Sequence, residues 1–524
     1  MLAAVLLLLT GCSAGNNGDS DTSSGSDPNA TQGGEIQLLY CAADTMNPYK
    51  TISKLNAELA SLLFDPLYKV DNSFEAVAVL AKDAVFDGKV CTVTLQNATF
   101  SDGSAVTAED VIFSYNLAKE CSRFSYLFYE VESVAAADAH TLVFTLNKHD
   151  PYFTKLLTFP VLKTGSDLLK DEDNVELVPI GCGRFVFGKD GTSLIPNKGY
   201  FGTKTEISKI NLINAPDYES MEHYVEIGAT DIYYADMTDD NIIRMSGKKS
   251  EVNTSNLIYL GINHYYGPLR SDKLRYAISS ALSREQISEK AFHSNATPAT
   301  GIFHPVWKET ADYQTIQTSA NSKISVENLA NIGYNKLNAE GYYENSAGNI
   351  LELNLLVNNE SAVKIAAAEL IVSQLKSVGI KINLNVVDKS EYFRALSSGH
   401  FQLYLGEVRL LPNMDVSSLV LGGGSAAYGM LYTTAPKEED GEEEEDSASP
   451  PSTNIETSYV SVVKGFNNGT NTAADMASAL LASMPIIPIA YRNSLVFYSA
   501  AIEDIHEASA YDVFLSVDKL KIKK

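Results

Sequence analysis

Residues 100–115 read Phe100-Ser101-Asp102-Gly103-Ser104-Ala105-Val106-Thr107-Ala108-Glu109-Asp110-Val111-Ile112-Phe113-Ser114-Tyr115. Asp102-Gly103 predicts a tight turn, which glycine enters without a steric penalty. Thr107 with Asp110 three positions on is close to a capping box and predicts the start of a helix. Val111-Ile112-Phe113 and Tyr115 carry that helix onward. On either side, Val90–Leu95 and Thr141–Leu146 alternate at period two, as half-buried strands do.

Strand and helix signals alternate along the rest of the chain. Ile36–Tyr40 is a strand candidate, and Asn56–Phe64 carries apolar residues at helical spacing. Asp272–Ala281 predicts a helix, with Ser283 opening the next. Leu351–Val357, Ala362–Val378 and Ile380–Val387 form a strand–helix–strand unit whose helix is stopped by Gly379. Phe401–Leu405 reads as a buried strand that ends where the charges Glu407 and Arg409 follow. Gly422–Thr457 contains a glycine triplet, Pro450-Pro451 and the run Glu438–Asp446, acidic except at Gly441. It predicts a long disordered surface insertion.

A chain of 524 residues is too long for one compact core, so two or more domains are expected. The 65 acidic against 40 basic side chains leave a net charge of −25, which disfavours nucleic acid and anionic lipid surfaces. Of five cysteines, none is spaced as in a zinc or redox pair. Cys41, Cys91, Cys121 and Cys182 leave two readings open, disulfides in an oxidising compartment or free buried thiols.

Met1–Cys12, MLAAVLLLLTGC, joins an apolar run to small residues, as at the end of a secretory signal. The run is far short of the roughly 20 residues that span a bilayer. Leu9-Thr10-Gly11-Cys12 resembles the bacterial lipobox, which makes Cys12 the acylated mature N-terminus. Residues 13–34 lack aromatic and branched aliphatic side chains and predict a disordered tether. The run opens without Lys or Arg, so a start further upstream or a trimmed sequence is expected. Lipidation would hold the protein outside the membrane, anchored but not spanning.

Nothing in the chain predicts catalysis. Its eight histidines are scattered outside any HExxH pattern, and there is no Gly-x-Ser-x-Gly elbow. Ser246–Ser250 lacks the glycine of a phosphate loop, and Asp236 with Asp239-Asp240 reads as solvated surface. Neither a cofactor nor a metal is expected.

Five segments in order resemble the family-5 extracellular solute-binding proteins of ABC importers, the oligopeptide-, dipeptide- and nickel-binding group. They are Phe100–Tyr115; Pro179–Phe185; Tyr259–Asn263 with Leu274–Ile278 and Ser283-Arg284-Glu285; Ala296–Ala299; and Pro485–Ile489. The resemblance covers roughly Glu35–Lys524 without the insertion. It implies an α/β, two-lobed periplasmic-binding-protein fold (type II, cluster C-like) with an extra domain in the N-terminal half. Lobe I is expected over 35–66, 175–258 and 485–524, the extra domain over 67–174, and lobe II over 259–484.

The implied role is capture of an oligopeptide or similar small solute for an ABC permease complex, as a monomer. The alternative is a sensor or partner-binding lipoprotein that keeps the fold. Peptide binders of the group carry a Trp-x-x-Asp-Tyr-type segment. Here Leu405–Asp415 occupies that stretch without the tryptophan or the aspartate, and the chain's one tryptophan is Trp307. Glu407 and Arg409 share a strand face, which suggests a carboxylate for a ligand amine and a guanidinium for a ligand carboxylate, or a structural salt-bridge network. With them the resemblance implies Asn413, Asn263, His264, Tyr265, Met46 and Asn47 as ligand-binding residues.

Overall fold

The computed structural model describes residues 34–237, 243–431 and 458–523. Asp102-Gly103 is the turn its sequence requires: Gly103 sits at φ +87°, and Phe100 N–H donates to the Ser104 carbonyl at 2.8 Å. The Asp110 carboxylate then accepts from the Thr107 amide at 3.0 Å and hydroxyl at 2.7 Å, opening helix Ala108–Glu120. Caps of this kind stabilise by ~1 kcal/mol. The other Asp110 oxygen accepts from Thr164 N–H at 2.9 Å, so the cap also pins a distant loop. The helix covers an antiparallel sheet ordered 81–87, 90–95, 141–146, 131–138. Cys91, Val93, Leu142 and Phe144 form that sheet's inner face, and Val111 and Tyr115 pack on it.

A second core lies beneath Glu35–Tyr40, which pairs in parallel with Lys209–Asn214, followed across the sheet by Ser193–Pro196 and Phe185–Phe187. Helix Lys54–Leu63 packs Leu59, Leu62 and Leu63 into this core with Ile36, Leu38 and Ile210. The Pro179–Phe185 segment passes so close to the helix end that a Cβ on Gly181 would stand 2.2 Å from the Leu63 carbonyl oxygen. Only glycine fits there.

The largest sheet runs 232–235, 487–498, 248–262, 403–409, 352–358, 381–387. Its two long antiparallel strands, Lys248–Ile262 and Ile487–Tyr498, lose register between Asn253 and Leu257 and again between Ile258 and Tyr259. Val252, Val496 and Tyr498 belong to the core of Ile36 and Leu38, whereas Ile258, Leu260, Ile487 and Ile489 belong to a different one. One pair of strands thus feeds two hydrophobic cores, and this makes the fold two-lobed. The further core is filled by Glu352–Asn358 and Lys381–Val387 in parallel, with helices Ala362–Ser377 and Asp272–Ala281 against them. Buried Arg275 donates to the carbonyls of Leu269, Arg270, Ser483 and Met484, so this motif arginine is a structural clamp.

Two expectations meet a different outcome. The strand read as ending at Leu405 runs Leu403–Arg409, because its ladder to 248–262 continues past the charges, with Glu407 opposite Ile258 and Arg409 opposite Asn256. The supposed insertion is placed as far as Leu431: Ala427 and Met430 are buried, and the Gly429 carbonyl accepts from His264 N–H at 2.9 Å. Residues 432–457, with the acidic run, lie outside the described residues, as do Cys12 and the tether to residue 33. Of the two readings left open for Cys41, Cys91, Cys121 and Cys182, the structure has free thiols, and burial pushes the Cys91 thiol up to about 12. Among the described residues no helix is long and apolar enough to cross a membrane.

Candidate functional site

Strand Leu403–Arg409 delivers Arg409 to the wall of a cleft of about 220 Å³. Facing it are Pro48, Ser61 and Phe64 near helix Lys54–Leu63, Tyr126 after helix Ala108–Glu120, and Tyr511 near the C-terminus. The guanidinium is exposed and has no acidic partner at ion-pair distance among the described residues. Burial raises the Tyr126, Tyr234 and Tyr511 hydroxyls, Tyr511 to about 12, and in each case the Arg409 charge opposes that rise. The Tyr511 hydroxyl lies 3.2 Å from Ser255 Oγ, which donates to the Leu410 carbonyl at 2.7 Å. One side of the cleft is therefore braced to the strand that carries Arg409.

The other cations of the cleft are engaged. Lys69, buried, lies 2.9 Å from Asp512 and 3.6 Å from Asp65. Burial alone would lower its pKa, and the two carboxylates outweigh that, Asp512 first. Arg123 donates to the Thr51 carbonyl at 3.1 Å and the Pro48 carbonyl at 3.4 Å.

Glu407, expected beside Arg409 at a ligand, is held within the protein. Lys364 Nζ lies 3.2 Å from one oxygen and Arg492 3.6 Å from the other. Asn413 donates to the Asp150 carboxylate at 2.7 Å, joining the strand's exit to the extra sheet's side of the molecule. Asp415, accepting from Lys148 Nζ at 2.5 Å, makes a second such link. Asn263 donates to the carbonyls of Gly399 and Phe401, and its oxygen accepts from Tyr265 N–H at 3.0 Å. His264 is buried with Nε2 2.8 Å from the Pro485 carbonyl, and burial lowers it to about 4. Both follow Ile262, which pairs with Leu403, so they lie about 20 Å along the strand from Arg409. Tyr265, at that same end, is exposed. Met46 is part of the Ile36 core, and Asn47 caps its own turn by accepting from Tyr49 N–H at 3.0 Å. Of the expected set, only Arg409 lines the cleft.

A second cavity, about 560 Å³, opens beside Tyr234 between helix Lys54–Leu63 and strand Ile232–Ala235. Its wall holds Cys41, Lys54, Glu58, Met221, Tyr234 and Asp236. Tyr234 lines this cavity and not the cleft of Arg409, although its phenol feels the charges of Asp236, Arg409 and Glu58. Sequence reasoning missed Tyr126, Tyr234, Tyr511 and Glu58. Each comes from a different part of the chain, and one tyrosine among 28 carries no signal.

The sequence profile described as “Bacterial extracellular solute-binding proteins, family 5 Middle” matches residues 75–429. The chain is 23% identical over 449 residues to the oligopeptide-binding protein AppA of Bacillus subtilis strain 168, covering 80% of this chain and 79% of that one. It is 25% identical over 396 residues to the periplasmic murein peptide-binding protein MppA of Escherichia coli K12, covering 68% and 72%. Among solved structures, a nickel ABC transporter protein from Bacillus halodurans superposes with a TM-score of 0.73 at 16% identity, covering 93% of this chain and 100% of that one. AppA from Bacillus subtilis, solved with a nonapeptide, gives 0.55 at 18% identity, covering 94% and 100%. At these identities the structural likeness speaks for the fold.

Proposed function

The chain belongs to the bacterial extracellular solute-binding proteins of family 5, non-enzymatic components of ABC importers, and we propose that it captures an oligopeptide or similar small solute in the cleft of Arg409. Binding substrate outside the cytoplasm is the family's role. The finer reading rests chiefly on one observation: Arg409 is a cation without an acid partner among the described residues, on the wall of a cleft lined by aromatic rings. A planar guanidinium there suits a ligand carboxylate, bound bidentately. Closing the lobes around it removes water and strengthens that pair. The peptide-binding names of AppA and MppA support the solute class.

Anchoring through an acylated Cys12 is part of the same proposal, supported by Leu9-Thr10-Gly11-Cys12 and the polar stretch after it. The test is native mass spectrometry of the full chain purified without denaturation. A co-purifying solute that carries a free carboxylate is the expected result. A solute without one would overturn the role given to Arg409.

A further inference from the structure

We propose that the cavity beside Tyr234 is a separate subsite that takes an alkyl-ammonium or guanidinium group of the ligand and discharges it against Glu58. This deepens the reading of the Arg409 cleft and rests on it only for what holds the ligand's other end.

Four observations converge. The cavity's volume, about 560 Å³, lies within the range of small-molecule pockets, so it has room for a long side chain and its stem. Its wall is largely apolar, with Leu55, Met221 and Ile243 among its lining, which suits methylene groups. Its charge is unbalanced: Asp44, Glu58, Asp217 and Asp236 stand against Lys54 as the one basic side chain on the wall among the described residues.

Three of those acids, Asp44, Asp217 and Asp236, are engaged by the protein itself. Asp44 accepts from the amides of Ile52 and Ser53 at 2.9 and 2.7 Å, and Asp217 caps helix Tyr218–Glu226 through Ser220 N–H at 2.8 Å. The Glu58 carboxylate has neither a hydrogen bond nor an ion pair at 4 Å or less among the described residues, although the residue is half-buried. Burial, opposed by Lys54 and reinforced by Asp236, pushes its carboxyl up to about 7.

The fourth observation concerns Tyr234 itself, 6% exposed, whose hydroxyl is buried with no hydrogen-bond partner within 3.5 Å among the described residues. Buried hydroxyls are ordinarily satisfied, so an unpartnered one on a cavity wall marks a place for a polar ligand atom. Its ring face already accepts an ammonium, with Lys54 Nζ 5.1 Å from the centroid. Apolar walls, an unpartnered hydroxyl and an unpaired carboxylate together match a cation on an alkyl stem. A ligand anion would meet Glu58, with Lys54 the one basic side chain on the wall among the described residues to offset it.

Cys41 lines the same cavity and is a free, partly exposed thiol, which makes it a reporter, with Cys121 as an internal reference outside the wall. In the full chain, n-pentylammonium is expected to slow alkylation of Cys41 severalfold while Cys121 reacts as before. Glu58→Gln should abolish the protection, and pentan-1-ol should not reproduce it. No protection, equal protection by the alcohol, or protection that survives Glu58→Gln would each overturn the subsite. Calorimetry with the tripeptides Ala-Lys-Ala and Ala-norleucine-Ala separates this from the broader reading. Roughly tenfold tighter binding of the lysyl peptide, lost in Glu58→Gln, is expected for one charge-assisted contact. If neither peptide binds while Cys41 is still protected by the cation, the peptide reading falls and the subsite stands. If both bind alike, the subsite falls and the peptide reading stands.

Discussion

Glu407 stands 3.2 Å from Lys364 and, through its second oxygen, 3.6 Å from Arg492, so one carboxylate serves two cations from different elements. Lys364 comes from helix Ala362–Ser377 and Arg492 from a long strand of the central sheet. Removing the carboxylate charge leaves buried Arg492 without it. Glu407→Gln is expected to lower the stability of the ligand-free protein by about 1–2 kcal/mol, less than for a fully buried pair because Glu407 is partly solvated. Chemical denaturation checks this, and solute affinity should stay within twofold. Unchanged stability with weakened binding would move Glu407 into the ligand site.

Arg409 should behave in the opposite way. It has no acid to leave behind, so Arg409→Met is expected to shift the melting temperature of the ligand-free protein little. Affinity for a carboxylate-bearing solute should fall by about 2 kcal/mol or more, roughly thirtyfold. Isothermal calorimetry on wild type and variant decides it.

Acid sensitivity follows from His264. Burial holds it at about 4, below its ordinary 6.5, with the Pro485 carbonyl opposing the shift and Arg275 adding to it. Between these values the unfolded chain binds the proton and the folded protein does not. The contribution of neutral His264 is therefore complete above pH 6.5 and is lost as pH falls toward 4. His304, lowered to about 3 by burial, acts in the same sense. His264→Gln should lose less stability than wild type between pH 7 and 4.5, by roughly 2 kcal/mol. Equal losses in urea titrations at the two pH values would remove His264 from the account.

Cys12→Ala should release the protein from the membrane fraction into the soluble one, because acylation at that residue is the proposed anchor. Fractionation and immunoblotting read the outcome. A variant that stays membrane-bound would place the anchor elsewhere.

Much of the fold was legible where local physics decides. The 362–377 helix and its flanking strands lie within a residue of the expected bounds, since alternation, a cap and Gly379 act over short distances. The readings that failed depend on partners far away in sequence. Glu407 and Arg409 look like an exit from a strand until the ladder to Ile258 and Asn256 extends it. Gly422–Leu431 looks like a linker until Met430 is seen in a core with Tyr459 and Val463. The cleft was harder still. Arg409 could be named because it follows an apolar strand, but Tyr126, Tyr234 and Tyr511 meet it only through tertiary folding, and no spacing announces that.

The register shifts in the two long strands have a mechanical meaning. A ribbon that enters both lobes acts as a leaf spring: any approach of one lobe to the other must bend it, and the bending work is subtracted from whatever the solute supplies. Thr254 and Ser255 lie at the irregular stretch, buried, bonding across to the carbonyls of Arg492 and Leu410. Their hydroxyls clamp the ribbon at the very place where its ladder is irregular.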